Sequence, residues 1–162
     1  MTATGEFDPA RDLLLERVVP VPRAFVWAAW TQPDLVVQWF TPAPYTTVDC
    51  EIDLRPGGLF RTVMRSPEGE RFDNAGCYLE VVEPERLVWT SALGPGYRPA
   101  AVEELAFTAV LSLSEVDGGT KYSALARHGD PETAQRHEEM GFHVGWGAAL
   151  DQLVALAGRS QQ

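Results

Sequence analysis

Basic residues and long apolar runs are scarce in this 162-residue chain. Only 13 Lys and Arg stand against 23 Asp and Glu, which gives a formal net charge of -10. Nucleic-acid binders need basic side chains that neutralise phosphates, and anionic membrane surfaces attract the same residues. Both kinds of partner are therefore disfavoured. No apolar run reaches the length of about 18 residues that a membrane span requires, so we expect none.

Cysteine is also scarce. Cys50 and Cys77 stand far apart, with no CxxC pair and no Cys/His cluster, which disfavours a zinc site. The first residues lack the basic segment and the apolar core of a signal peptide. We expect a cytoplasmic protein with reduced thiols, and a disulfide between the two cysteines is the minor alternative.

Familiar catalytic and cofactor motifs are missing as well. The sequence has no GxSxG, HExxH or GxGxxG pattern. Gly57-Gly58 lies in a predicted turn between strands with no helix after it, so it does not predict a phosphate-binding loop. We predict no metal site and no cofactor, and the sequence identifies no catalytic residue.

Aromatic residues, by contrast, are abundant: five Trp, seven Phe and four Tyr. Many of them fall in segments where apolar and polar residues alternate between turns rich in Gly, Pro and Asp, which is typical of strands. The predicted strands are 12–19, 45–54, 59–65, 70–82, 86–91, 104–114 and 120–128.

Helices are predicted after the first strand and at the C-terminal end. Pro22 precedes a short helix at 23–30, and a second short helix follows at 34–40. Asp130 and Pro131 are typical of a helix start. The long helix behind them carries an apolar stripe formed by Phe142, Trp146, Leu150, Leu153 and Leu156. Three glycines in it indicate a close approach to its backbone: Gly141, Gly145 and Gly147.

This order of elements predicts an α+β fold. Six strands in hairpin succession imply a mostly antiparallel sheet, and its apolar face must be covered. A curved sheet wrapped around one long helix would cover it and leave a cavity between the two. We predict a flexible leader at 1–11, a single domain at 12–158 and a short tail at 159–162.

Several short motifs occur in an order known from one superfamily. They are the segment from Val21-Pro22 to Trp30, Pro33 to Trp39-Phe40, Pro56-Gly57-Gly58-Leu59-Phe60, Gly76 with Glu80, Pro84 and Arg86-Leu87-Val88, Gly119-Thr120 with His128, and Gly145-Trp146 with Leu150 and Leu153. Together they make the chain resemble the START-like, birch-allergen-like helix-grip superfamily (SRPBCC). The closer resemblance, over about residues 12–157, is to the branch of the activator of the heat-shock protein 90 ATPase.

The resemblance implies a curved seven-stranded antiparallel sheet around a long C-terminal helix, with two short helices after the first strand. It also implies that a small hydrophobic molecule, lipid-like or aromatic, binds in the cavity of a monomer or homodimer. A polyketide cyclase- or hydrolase-like enzyme using the same cavity is one alternative. The other is an interaction module that stimulates a chaperone ATPase, which ranks lower because the eukaryotic activators carry a further N-terminal domain outside these residues.

Aromatic and neighbouring side chains are the candidate ligand-binding residues. They are Trp39, Phe40, Phe60, Thr62, Met64, Tyr78, Trp89, Phe107, Phe142 and Trp146. In the predicted fold these side chains converge on the space between sheet and helix, as in an apolar ligand pocket. For each ring the alternative is a packed core.

Polar residues near this space are the second group of candidates. They comprise Asn74, Tyr122 and His128. His143 follows Phe142 and is a candidate acid or base of the cavity, although a solvated or structural role is the alternative. His137 and His143 lie six residues apart, which is not the spacing of a metal-binding pair on a helix.

A cluster of carboxylates and an irregular loop are two further features of the sequence. Glu80, Glu83 and Glu85 surround a turn, and we interpret the cluster as charged surface rather than as a catalytic acid-base pair. Glu80 is the exception, because it lies at a position that resembles one of the family's motifs. The loop at 92–101, with Tyr97 at its tip, is either a lid at the cavity mouth or an irregular hairpin link.

Overall fold

The computed structural model describes residues 6–101 and 105–160, with the side chain of Ser160 excepted, and it has the α+β architecture expected from the sequence. Seven strands form one antiparallel sheet, and a separate two-stranded hairpin lies in the predicted loop at 92–101. In chain order the strands are β1 (Asp12–Val19), β2 (Thr46–Ile52), β3 (Leu59–Arg65), β4 (Arg71–Val82), β5 (Arg86–Thr90), the hairpin strands β6 (Leu93–Gly94) and β7 (Arg98–Pro99), β8 (Phe107–Val116) and β9 (Gly119–His128).

Four α-helices complete the fold within the described part of the chain, and the first three begin within one residue of the predicted starts. They are α1 (Arg23–Thr31), α2 (Pro33–Trp39), α3 (Pro131–Glu139) and α4 (Phe142–Ser160). Pro33 and Pro131 occupy first turns, where their missing N–H groups leave no helical hydrogen bond unmade. Asp130 caps α3, because its Oδ1 accepts a hydrogen bond from the Thr133 amide at 2.7 Å.

The predicted long C-terminal helix is divided in two at Gly141. This residue has a φ of +96°, in the left-handed region that favours glycine. Its N–H donates to the Glu138 carbonyl at 3.0 Å and so closes α3 before α4 begins. A periodic pattern of apolar residues cannot reveal a chain reversal at a single residue, which is why the sequence predicts one long helix. Because of this reversal, His137 and His143 lie on different helices.

Gly147 provides the close approach that the sequence indicates in this helix. A Cβ atom there would lie 3.0 Å from Nη2 of Arg17. The Arg17 guanidinium extends from β1 to Asp151 on α4, with 2.7 Å between Nη1 and Oδ1. The small residue therefore leaves room for a cation that ties the first strand to the last helix.

The sheet has the order β1-β9-β8-β5-β4-β3-β2, with every neighbouring pair antiparallel. Residues paired directly across two strands share a face, so the pairs Tyr78 with Trp89 and Trp89 with Ala109 lie on one face. Leu150 and Leu153 of α4 are fully buried in the core cluster that includes these residues. The curved sheet thus grips α4, and the predicted fold class is confirmed.

A few predicted details change. The strand predicted at 104–114 begins outside the described residues at Glu104 and is seen from Phe107 as β8. The first five residues of the predicted leader also lie outside them, whereas the Asp8 carboxylate accepts a hydrogen bond from the Arg11 side chain at 2.6 Å. Both cysteines are free thiols, so the minor disulfide alternative is wrong. In the described part of the chain, no helix is both long enough and apolar enough to cross a bilayer.

Candidate functional site

A cavity of about 890 Å³ lies between the inner face of the sheet and α4. Ligand pockets usually occupy about 300–1,000 Å³, so its size is that of a small-molecule site. Its walls come from α1, α2, β3, β4, β5, β8, β9, α3 and α4. Asp73, Asn74, Ala75 and Met140 border it and are exposed, so the mouth lies between β4 and the junction of α3 with α4.

Aromatic rings form one continuous wall of the cavity. Phe40, Phe60, Trp89, Phe107 and Trp146 follow one another with ring-centroid distances of 5.7, 5.1, 5.4 and 6.1 Å, all in edge-to-face contact. Such contacts stabilise aromatic pairs beyond the burial of their area. The wall is therefore held in place by its own packing and presents ring surface to the interior.

Nine of the ten predicted site residues border this cavity. They are Trp39, Phe40, Phe60, Thr62, Met64, Trp89, Phe107, Phe142 and Trp146. The tenth, Tyr78, lies behind Phe60, with the two rings stacked at a centroid distance of 5.4 Å. The Tyr78 side chain is fully buried, and its hydroxyl has no hydrogen-bond partner in the part of the chain that the structure describes.

Two tryptophans of the helical segment line the cavity with their polar edges already satisfied. Trp39 donates its indole N–H to the Ala29 carbonyl at 2.9 Å, and Trp30 donates to the Tyr122 hydroxyl at 3.1 Å. Both therefore offer apolar ring surface. Trp30 is not among the predicted site residues, although its place in the apolar pattern of α1 already indicates that it faces inward.

One histidine pair stands beside the aromatic wall. His137 on α3 borders the cavity, and its Nδ1 lies 2.9 Å from Nε2 of His128 on β9. His128 in turn lies 2.7 Å from the Arg11 carbonyl through its Nδ1. Burial lowers the pKa of His137 to about 4, and the nearby His128 acts in the same direction.

His143, a candidate acid or base of the cavity, lies elsewhere. Its side chain is about half exposed and lies 3.7 Å from the Glu138 carboxylate. The histidine that borders the cavity is instead His137, which the sequence pattern only excludes, by its spacing from His143, from a metal-binding pair. The break at Gly141 places His137 and His143 on different helices. The His128–His137 contact joins a strand to a helix across a turn, and no local sequence pattern reveals it.

Other groups with catalytic potential are held in unreactive states. Burial raises the pKa of the Cys50 thiol to about 11, and the carboxylates of Asp49 and Glu51 add to the effect, so Cys50 is a thiol rather than a nucleophilic thiolate at neutral pH. Glu80 forms an ion pair with Arg86. The described residues contain no cluster of three or more His, Cys, Asp or Glu side chains that could hold a metal ion.

The hairpin formed by β6 and β7 is packed down on the sheet. The Gly96 amide donates to the Gly57 carbonyl at 2.8 Å, and a Cβ atom on Gly57 would lie 3.0 Å from the Tyr97 ring. The Tyr97 ring thus packs against the β2–β3 turn, whereas Ala100, near the end of the loop, borders the cavity. Only the end of this loop contributes to the cavity wall.

A curved antiparallel sheet closed by a C-terminal helix over an internal cavity defines a helix-grip protein. The family described as "Activator of Hsp90 ATPase homolog 1-like protein" has a model that matches residues 20–158, and the chain belongs to this family. The resemblance seen in the sequence is thereby confirmed. A comparison with curated proteins found no match.

Solved structures show the same fold. Protein NE0264 from Nitrosomonas europaea is 47% identical, with a TM-score of 0.92 over 96% of this chain and 99% of that one. Protein Ms6760 from Mycobacterium smegmatis is 26% identical, with a TM-score of 0.73 over 91% and 90%. An AHSA1-like protein from Aeromonas hydrophila, at 19% identity and a TM-score of 0.70 over 93% and 94%, shares the fold alone. Family membership supports a ligand-binding or an Hsp90 ATPase-activator-like domain.

Proposed function

We propose that the chain binds a small, largely apolar ligand, lipid-like or aromatic, in the cavity between the sheet and α4. The observation that carries the proposal is the aromatic wall from Phe40 to Trp146 around an interior of about 890 Å³. Apolar walls with a few polar groups are what small-molecule sites have in common. The polar members of the cavity wall are few, among them Thr62, Asn74, Ser91 and His137.

Access to the cavity also supports binding. Met140 is 66% exposed while it borders the cavity, and Asp73 and Asn74 border it from the opposite side. A ligand can therefore enter between β4 and the α3–α4 junction without unfolding the core. Burying its apolar surface there would contribute about 25 cal/mol for each Å² removed from water.

The proposal can be tested by filling the cavity from α4. Gly145 borders it, and the nearest atom to a Cβ built there is Cγ of Pro42 at 3.9 Å. Gly145→Leu therefore places a side chain in the ligand's space. Gly158→Leu is the matched control, because Gly158 lies on the same helix, is exposed and has no atom within 4 Å of its built Cβ.

The probe is N-phenyl-1-naphthylamine, an uncharged aromatic fluorophore that can be excited by energy transfer from Trp30, Trp39, Trp89 or Trp146. We expect saturable binding by the wild type, at least tenfold weaker binding by Gly145→Leu and no change in Gly158→Leu. Native mass spectrometry of the purified protein would look for a ligand that is retained. Absence of probe binding and of any retained ligand, or equal affinity in both variants, contradicts the proposal.

A second candidate function is stimulation of a chaperone ATPase, which the description of the matching family favours. The measurement is the ATPase rate of the heat-shock protein 90 from the same organism, with and without this chain. A rate increase that saturates with the concentration of the chain would support this function. An unchanged rate would contradict it and leave ligand binding as the remaining proposal. The cyclase- or hydrolase-like alternative stays a prediction.

A further inference from the structure

His137 occupies a distinct position in the cavity wall. It lies on α3, whose first turn is fixed by the Asp130 cap, and its ring packs on Phe107 at a centroid distance of 4.8 Å and on Phe142 at 5.1 Å. The side chain is 6% exposed. Packing on two sides and the contact with His128 fix the plane of the imidazole.

The hydrogen bonds of the pair fix which nitrogen carries the proton. A carbonyl oxygen only accepts, so His128 donates from Nδ1 to the Arg11 carbonyl at 2.7 Å. In a neutral His128 the other nitrogen, Nε2, is then an acceptor. It receives a hydrogen bond from Nδ1 of His137, 2.9 Å away. A neutral His137 that donates from Nδ1 has an unprotonated Nε2.

Neutrality of His137 follows from its surroundings. Two aromatic rings and a second imidazole enclose it, and burial away from water disfavours the imidazolium. The lowered pKa of His137 has the same physical cause. Nε2 has no hydrogen-bond partner within residues 6–101 and 105–160, and His137 borders the cavity.

We propose that Nε2 of His137 accepts a hydrogen bond from the ligand, so that the cavity selects uncharged aromatic molecules that carry a hydroxyl or N–H donor. This inference rests on the proposed function and narrows its ligand class. The Arg11 carbonyl and His128 act as positioning groups, because they hold His137 in the tautomer that leaves Nε2 as an acceptor.

Charge argues against an anionic ligand. The described cavity wall contains no Lys or Arg, and the chain carries a net charge of -10. A carboxylate or phosphate would therefore meet the lone pair of His137 without a compensating cation. Asp73, at the mouth, is already paired with Arg61 at 3.0 Å. The wall of rings favours a flat aromatic body behind the donor group.

Three probes of nearly the same size test the inference at neutral pH. They are 2-naphthol, which has a donor, 2-methoxynaphthalene, which has only an acceptor, and naphthalene, which has neither. We expect the wild type to bind 2-naphthol about tenfold more tightly than 2-methoxynaphthalene, as one hydrogen bond provides. His137→Phe should lose this preference and keep its affinity for naphthalene, which also reports that the cavity is intact.

His143→Phe is the matched control, because it makes the same replacement at a position away from the cavity wall. It should retain the preference for 2-naphthol. Equal binding of 2-naphthol and 2-methoxynaphthalene by the wild type, or a preference that survives in His137→Phe, overturns the inference while ligand binding stands. If none of the three probes binds, the inference fails, and N-phenyl-1-naphthylamine together with the search for a retained ligand then decides the proposed function.

The tautomer offers an independent readout. Imidazole nitrogen shifts in an NMR spectrum distinguish a protonated from an unprotonated ring nitrogen, and we expect His137 to carry its proton on Nδ1. A proton on Nε2 overturns the inference even if the probes bind. His128→Phe removes the acceptor for Nδ1 and should weaken the preference for 2-naphthol, which a purely structural role of His128 would not do.

Discussion

Trp30 and Tyr122 are joined by a hydrogen bond of 3.1 Å from the indole Nε1 to the phenolic oxygen. Each side chain is 2% exposed, and each borders the cavity. The bond connects α1 to β9, two elements separated by 92 residues of chain. The wall of the cavity is thus held by a buried polar contact as well as by ring packing.

Removing the Tyr122 hydroxyl should destabilise the protein. Tyr122→Phe leaves the Trp30 N–H buried without an acceptor, which costs about 1–3 kcal/mol. Urea unfolding followed by far-UV circular dichroism measures the change. Tyr45→Phe is the control, since the Tyr45 ring is 37% exposed, and we expect its effect to stay within about 0.5 kcal/mol. A Tyr122→Phe variant as stable as the wild type would contradict this account of the bond.

Tyr78 should respond in the opposite way to the same replacement. Its hydroxyl is fully buried and has no hydrogen-bond partner among the described residues, and burial raises the pKa of the phenol. An unpaired buried hydroxyl costs free energy in the folded state. Tyr78→Phe is therefore expected to be neutral or to stabilise the protein by about 1 kcal/mol in the same urea experiment. A loss above 1 kcal/mol would show that the hydroxyl has a partner.

The contrast between these two tyrosines shows how far sequence reasoning reaches. The sequence predicts that Tyr78 and Trp89 face the same space, and the two residues are indeed paired across β4 and β5 on one face of the sheet. Alternation fixes the face of a side chain but not its depth, and Phe60 stacks over Tyr78 and separates it from the cavity. The pairing of β2 to β5 and of β8 with β9 is predictable because hairpins join neighbours in the chain, whereas β1 pairs with β9 from the other end of the chain.

The histidine pair shows where such reasoning ends. α3 carries the polar sequence PETAQRHEE, in which nothing marks His137 as buried. It becomes buried because the short turn between β9 and α3 brings it next to His128, where it also packs on Phe107 and Phe142. Contacts of this kind depend on the geometry of the turn between β9 and α3 and on the packing around it. The cavity's apolar wall is predictable from periodicity, whereas its polar group is not.

Gln152 of α4 should be important for the rim of the cavity next to α2. Its Nε2 donates to the carbonyls of Trp39 and Thr41 at 2.8 Å each, and its Oε1 accepts from the Ala43 amide at 2.9 Å. Gln152→Met keeps the length of the side chain and removes all three bonds. We expect a loss of about 2 kcal/mol, since each bond contributes roughly 1 kcal/mol and the rim is partly solvated.

Hydrogen exchange provides a local measurement for the same variant. The Ala43 amide should lose more protection in Gln152→Met than amides in β8 and β9, which follow only the change in global stability. Gln135→Ala is the control, because Gln135 is exposed on α3 and lies outside the cavity wall. Unchanged exchange at Ala43 would mean that Gln152 does not hold this segment.

His137 should make the stability of the protein depend on pH between about 6.5 and 4. Its pKa is lowered to about 4 by burial and by His128, so the unfolded chain binds the proton more tightly in this window. Stability therefore rises with pH, is fully present above pH 6.5 and is lost as the pH falls towards 4. The side chains packed on His137 are His128, Phe107, Phe142 and Trp146.

Linkage sets the size of this effect. A difference of one between the pKa in the folded and in the unfolded chain corresponds to about 1.4 kcal/mol, so the loss of folding free energy across the window is on the order of 3 kcal/mol. Urea unfolding at a series of pH values should show a steeper pH dependence for the wild type than for His137→Phe, since the carboxylates contribute equally to both. His143→Phe should keep the wild-type dependence. Parallel curves for the wild type and His137→Phe would show that His137 is not desolvated in the folded protein. An imidazole in contact with water would have the same pKa in the folded and unfolded chain and would not make stability depend on pH.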